Sequence, residues 1–139
     1  MNIALPREQQ PNPYVTPHLS FQFRYFALRK LHFMLRARAL VALPGGYGTF
    51  DEIFETLCLI QTGKRPPLPV ILVCERFWRR AVGFEFPIDE GMIDARELEL
   101  FDFAETAEEA WNKILEWYEV RDLSIFEPVP KGDPSEIGD

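Results

Sequence analysis

Ala39-Leu40-Val41-Ala42-Leu43, five apolar residues stopped by Pro44, constrains the fold of this chain more than any other stretch. A short, continuous apolar run is the pattern of a strand buried on both faces, as in a parallel sheet. It leads directly into Gly45-Gly46-Tyr47-Gly48-Thr49, after which Phe50, Ile53, Phe54, Leu57 and Cys58 recur at helical spacing up to about Gly63. Glycines allow positive φ and let a ligand approach the backbone without meeting a Cβ. The start of a helix adds unpaired N–H groups and the positive end of the macrodipole, which together seat an anion. Open α/β sheets place their ligands at this position, the carboxyl end of a parallel strand. A phosphate suits such a turn. A purely local reading stands beside it: Thr49 and Glu52 have capping-box spacing, and a glycine turn before a helix can be only a tight connection.

The rest of the chain alternates in the same way. Residues 1–18 carry Pro6, Pro11, Pro13 and Pro17 and are expected to be extended or turn-like. Leu19 to about Ala37 lacks Gly and Pro, and Phe23, Phe26, Ala27, Leu31, Met34 and Leu35 mark a helical stripe. Phe21, Tyr25, Leu28 and Phe33 fall on its other faces, so this helix is expected to be covered on more than one side. Pro69 to Cys74 reads as a second buried strand, Arg76 to about Glu85 as a helix broken at Pro87, and Leu100 to Ala104 as a third strand. Thr106 opens the cleanest amphipathic helix, with apolar positions 107, 110, 111, 114, 115 and 118, and pairs with Glu109 as a capping box. This order predicts an α/β fold with a parallel sheet and flanking helices. Residues 1–120 read as the folded domain and 121–139, rich in Pro, Gly and acid, as a disordered tail.

Charge and composition remove other classes. Lys plus Arg number 15 against 22 Asp plus Glu, a net charge of −7, which argues against a nucleic-acid polymer as partner. A small phosphorylated ligand stays compatible, because a local site can be positive on an acidic protein. No apolar run approaches membrane-spanning length, and the N-terminus lacks the pattern of a secretory signal, so the chain reads as soluble and cytoplasmic. Cys58 and Cys74 fall in a helix and a strand, which speaks against a disulfide framework. With His18 and His32 they give no zinc spacing.

Pro44-Gly45-Gly46-Tyr47-Gly48-Thr49-Phe50-Asp51-Glu52 resembles the PGGxGTxxE signature of the LOG family. These are the cytokinin-activating nucleoside 5′-monophosphate phosphoribohydrolases, many of them once labelled "lysine decarboxylase". Arg29-Lys30 is similar to the family's upstream Arg-Lys pair, and Leu57 to Lys64 and Glu90-Gly91-Met92-Ile93 resemble its downstream text. The resemblance runs from about Asn2 to Tyr118 and implies a Rossmann-like sheet. It further implies hydrolysis of the N-glycosidic bond of a nucleoside monophosphate, with Glu52 and Arg29 as catalytic residues. Gly45, Gly46, Gly48 and Thr49 match the phosphate-binding loop, with Lys30 and Tyr47 as further substrate contacts. On the residues alone, Lys30 reads equally as a surface lysine, Tyr47 as a cap on the turn, and Asp51 as favourable charge at a helix start. The scheme needs no metal and no organic cofactor, and the family's homodimer implies self-association.

Family members begin with an earlier strand, a helix and a GGGxxGxM-type segment, and Asn2-Ile3-Ala4-Leu5-Pro6 matches a mid-chain strand. The expectation is therefore a Rossmann-like fold lacking the family's N-terminal half. A truncation, a split protein and a reduced homologue are all compatible with that departure. Three functions compete: a phosphoribohydrolase releasing free base and ribose 5-phosphate, a nucleotide-binding module without turnover, and a structural remnant or interaction subunit.

Overall fold

The structure is a computed structural model that describes residues 2–3, 22–23, 30, 34 and 36–126. The chain divides into two units, residues 1–37 and 38–139. In the first unit, strand β1 (Asn2–Ile3) pairs in parallel with β2 (Gln22–Phe23). Leu19 to Ala37 is therefore not one continuous helix. Phe21-Gln22-Phe23 alternates aromatic and polar residues at the strand period, and a run apolar on every face does not distinguish the two structures. Lys30, Met34 and Arg36 are helical, Ala37 is not, and the other residues of that expected helix, Gln22 and Phe23 apart, lie outside the described residues.

The second unit contains a parallel sheet in the order β3-β4-β5. Strand β3 is Leu40–Ala42, β4 is Val70–Val73 and β5 is Asp102–Ala104, with Val41 opposite Ile71 and Leu72 opposite Phe103. Helix α1 (Tyr47–Gln61) joins β3 to β4. The return to β5 uses α2 (Glu75–Ala81), the short α3 (Phe86–Asp89) and a 3-10 segment at Ala95–Leu100. Helix α4 (Ala107–Glu119) follows the last strand. This confirms the α/β class read from the sequence.

The strands are short and β4 is enclosed, so the core is built around it. Ile71 packs with Ala104, Ala110, Ile114 and Tyr118 under α4, and Leu123 and Ile125 join this cluster, so burial continues past Val120. Residues 127–139 lie outside the described residues. Strand periodicity turns Val70 and Leu72 to the opposite face. Both are buried, as are Ile53 of α1 and Trp78 of α2. The Trp78 indole N–H donates to the Val73 carbonyl at 2.8 Å, and its ring meets Phe50 edge-on at 5.3 Å.

Two boundaries and one half of a capping box differ from expectation, while α4 opens at Thr106 as read from the sequence. Pro87 does not end a long helix but sits in the first turn of α3, where its missing N–H costs nothing. The 3-10 segment consumes residues up to Leu100, held by a capping box between Asp94 and Glu97, and the strand begins only at Asp102. At α4 the Thr106 hydroxyl accepts from the Glu109 N–H at 3.1 Å, whereas the Glu109 carboxylate accepts from the Glu105 N–H at 2.8 Å rather than from Thr106. Cys74 links β4 to α2 with φ 71°, a left-handed conformation that costs a residue with a Cβ roughly 1–2 kcal/mol.

Tyr118 ties α4 to the strand entry, its hydroxyl donating to the Arg38 carbonyl at 2.7 Å. Burial pushes its ionisation upward, with the Arg38 and Arg65 charges pulling back more weakly. Because the phenol ionises later in the folded chain than in the unfolded one, its contribution is complete below the ordinary tyrosine pKa of about 10 and is lost as pH rises beyond it. Tyr118→Phe is expected to lower unfolding free energy by about 1 kcal/mol near neutral pH. The variant should also lose part of the alkaline decline, measured by urea unfolding between about pH 8 and about pH 11.

Candidate functional site

The site is built where β3 stops. Leu40 donates its N–H to the Pro69 carbonyl at 2.9 Å, and the ladder to β4 ends at the Ala42–Leu72 pair, releasing the chain at Leu43-Pro44. Gly46 is the N-cap of α1 in extended backbone, with φ −93° and ψ −162°, and no side chain caps the helix. Its carbonyl instead accepts from the Thr49 N–H at 2.9 Å and the Phe50 N–H at 3.2 Å. The helix thus starts at Tyr47, and Thr49 is its third residue. This overturns the Thr49–Glu52 capping box: Thr49 lies inside the helix and cannot cap it, because a cap needs non-helical backbone. The tight-connection reading loses its second support.

The glycines divide the work. A Cβ built on Gly45 would fall 2.2 Å from Thr49 Oγ1 and 2.9 Å from Thr49 Cβ, so the bare backbone here receives the threonine side chain. A Cβ on Gly46 or Gly48 would meet nothing within 4 Å. The turn is therefore open beside Gly46 and Gly48, and the Gly46 carbonyl takes the Thr49 and Phe50 amides, leaving those of Tyr47 and Gly48 ahead of the first helical acceptor. That combination, exposed donors with no Cβ in front of them, is what an anion requires.

Glu52 follows three residues after Thr49, so the two share a face of α1. Glu52 is half-buried, and its carbonyl accepts from the Thr56 hydroxyl at 2.7 Å. Thr56 is buried, flanked on the helix by buried Ile53 and Ile60, which fixes the rotation of α1. The helix ends through Thr62 and Gly63, the latter at φ 64°, with the Lys64 N–H donating to the Leu59 carbonyl at 2.9 Å. Tyr47 is 95% exposed, so its ring does not cover the turn.

The structure thus brings Gly45, Gly46, Gly48, Thr49 and Glu52 together at one helix start. Lys30 is helical and half-buried in the first unit, and Arg29 lies outside the described residues. Two features of the same sheet edge were not anticipated. The left-handed Cys74 turn ends the neighbouring strand, and the Glu105 carboxylate accepts from the Glu75 N–H at 3.0 Å, tying the tops of β4 and β5 together. Neither has a sequence signature, since a left-handed cysteine and a non-local carboxylate cap follow no fixed spacing. Among the described residues, no group of three or more His, Cys, Asp or Glu could hold a metal ion, and no helix is long and apolar enough to cross a membrane.

The chain is similar to known proteins along most of its length. The family model described as "Possible lysine decarboxylase" matches residues 1–114. A protein of Oryza sativa subsp. japonica, named "Probable cytokinin riboside 5'-monophosphate phosphoribohydrolase", is 33% identical over 89 residues, 63% of this chain and 39% of the relative. Two cytokinin riboside 5'-monophosphate phosphoribohydrolases of Arabidopsis thaliana are 30% and 31% identical, covering 64% and 72% of this chain and 42% of each relative. The chain spans about two fifths of the length of these curated relatives.

The division of labour among the glycines is testable by stability alone. Gly45→Ala should cost about 1–3 kcal/mol through overpacking against Thr49, and the double variant with Thr49→Ala should recover part of it. Gly46→Ala, entering open space, should stay within about 0.5 kcal/mol of the parent in urea unfolding.

Proposed function

This chain belongs to the family described as "Possible lysine decarboxylase", and from that premise we propose that it is a nucleoside 5′-monophosphate phosphoribohydrolase. The observation that carries the reading is the open, Cβ-free turn at the carboxyl end of β3 with Glu52 one helical turn beyond it on the Thr49 face. A phosphate at the Gly45–Thr49 turn would be held by backbone amides, the Thr49 hydroxyl and the helix dipole. The ribose attached to that phosphate would then reach the Glu52 carboxylate.

The chemistry follows from these groups. As the bond between C1′ and the base nitrogen breaks, positive charge builds on the sugar, and a carboxylate stabilises it while orienting or deprotonating water. The water oxygen bonds to C1′, the base leaves with the bonding electrons, and a proton passes to its nitrogen. Arg29 supplies a permanent charge with forked donors, suited to the phosphate or to negative charge on the departing base. Lys30 is a second anion contact. The substrates in this proposal are AMP-like or cytokinin riboside monophosphates, the latter being the class for which the similar plant proteins are named. Self-association completes the assembly in this proposal.

A second reading is a nucleotide-binding module without turnover, which the side-chain-free helix start at Gly46 would serve by itself. The two readings separate in one experiment. The full chain is incubated with AMP and with isopentenyladenosine monophosphate, and free base is quantified beside calorimetric binding. The expected outcome is base release, reduced about a hundredfold or more in Glu52→Gln and in Arg29→Ala, with AMP still bound by Glu52→Gln. Saturable binding with no base formed supports the module. Equal release by the parent and both variants would remove the proposed roles.

A further inference from the structure

We propose that Trp78 is a positioning residue for the candidate site, holding the first turn of α1, and Glu52 with it, through the ring of Phe50. The inference rests on the reading of that turn as a nucleotide site. The turn needs support from outside itself. No side chain caps α1, and Gly46 and Gly48 bracket its first residue, where glycine loses the most backbone freedom on ordering. The buried stripe of the helix, Ile53, Thr56 and Ile60, starts only in the second turn. Ahead of it on the same face, three residues before Ile53, stands Phe50. Its N–H donates to the Gly46 carbonyl at 3.2 Å, so a displaced Phe50 displaces the turn.

Phe50 bears on a ring that is itself fixed. Its centroid lies 5.3 Å from that of Trp78 with the ring planes at 61°, and Phe54 stacks beside it at 6.4 Å. Trp78 is 1% exposed. Its indole N–H donates to the Val73 carbonyl at 2.8 Å, and Phe77 meets it edge-on at 5.0 Å. Val73 is the last residue of β4, and Cys74 after it is tied to β5 by its N–H, which donates to the Ala104 carbonyl at 2.8 Å. A line of contacts thus runs from the carboxyl end of the sheet through Trp78 and Phe50 to the glycine turn. Tryptophan alone combines so wide a ring with a ring N–H donor, and the link uses both. Glu52 lies two residues beyond Phe50, about 200° round the helix. Slack at Trp78 lets the first turn roll, and the roll swings the Glu52 carboxylate by the same angle while the phosphate stays on the amides.

The test pairs AMP binding with amide exchange in the full chain and in Trp78→Phe, Phe50→Leu and the double variant. Calorimetry is expected to show AMP bound about tenfold more weakly by each single variant, at unchanged stoichiometry. The double variant should be about as weak as the singles, because both changes act along one line of contacts. Without ligand, hydrogen exchange followed by NMR should quicken about tenfold at the Thr49 and Phe50 amides, with those of Ile114 and Tyr118 in α4 unaltered. A residue that only fills the core would instead lower the stoichiometry at constant affinity and quicken exchange in α4 as well. That result overturns the proposal. So do unchanged affinity and first-turn exchange in both single variants, or losses that multiply to about a hundredfold in the double. A parent that binds no AMP removes the nucleotide reading alone, since exchange at Thr49 and Phe50 still decides whether Trp78 holds the turn. Phe50 is only half-buried, so Phe50→Leu keeps the test decisive even where Trp78→Phe does not fold.

Discussion

Everything described in residues 38–126 depends on β4 being enclosed from all sides. Val70, Ile71 and Leu72 are buried, and both neighbours in the sheet pair with this strand. Its two faces divide the helices, α4 on the Ile71 side and the Trp78 layer on the other. Its register also fixes the site. Because Ala42 stands opposite Leu72 and Val73 opposite Ala104, the glycine turn, the Cys74 turn and Glu105 emerge along one edge. Parallel pairing gathers the carboxyl ends of three strands there, and the edge that carries the candidate site is a consequence of the ladder rather than a separate construction.

Much of this was legible in the sequence, because the signals were local. Continuous apolar runs marked β3 and β4, the 3.6 period marked α4, and glycines followed by a helical pattern marked the turn into α1. What was not legible depends on distant partners. Gln22–Phe23 becomes a strand by pairing with Asn2–Ile3, a contact that periodicity within Leu19–Ala37 cannot reveal. The Thr49–Glu52 spacing suggested a cap, yet the Gly46 carbonyl takes the Thr49 and Phe50 amides and starts the helix earlier. The working box, Asp94 with Glu97, lay in a stretch where no helix was expected and opened a 3-10 segment instead. Of the candidate site, the loop and Glu52 stand together, and Arg29 falls outside the described residues.

The same helix serves two chemically opposite ends. At its start, bare amides and the dipole favour anions; from Phe54 onward, its side chains line an apolar groove that Glu97 borders. Buried Thr56 and Ile60 hold these ends in a fixed rotational relation, since a turn of α1 about its axis would expose both. Helix, sheet and connection are thus coupled through packing, while the polar groups at either end stay accessible.

The contact between the Gly45 backbone and the Thr49 side chain has an evolutionary consequence. With an added methyl at 45 falling 2.9 Å from the Thr49 Cβ, position 45 gains a side chain only if residue 49 shifts or is trimmed. A route through sequence space from this turn to one with a bulkier residue at 45 must first trim 49, surrendering a hydroxyl donor at the strand end. A library that randomises 45 therefore gains from small residues at 49.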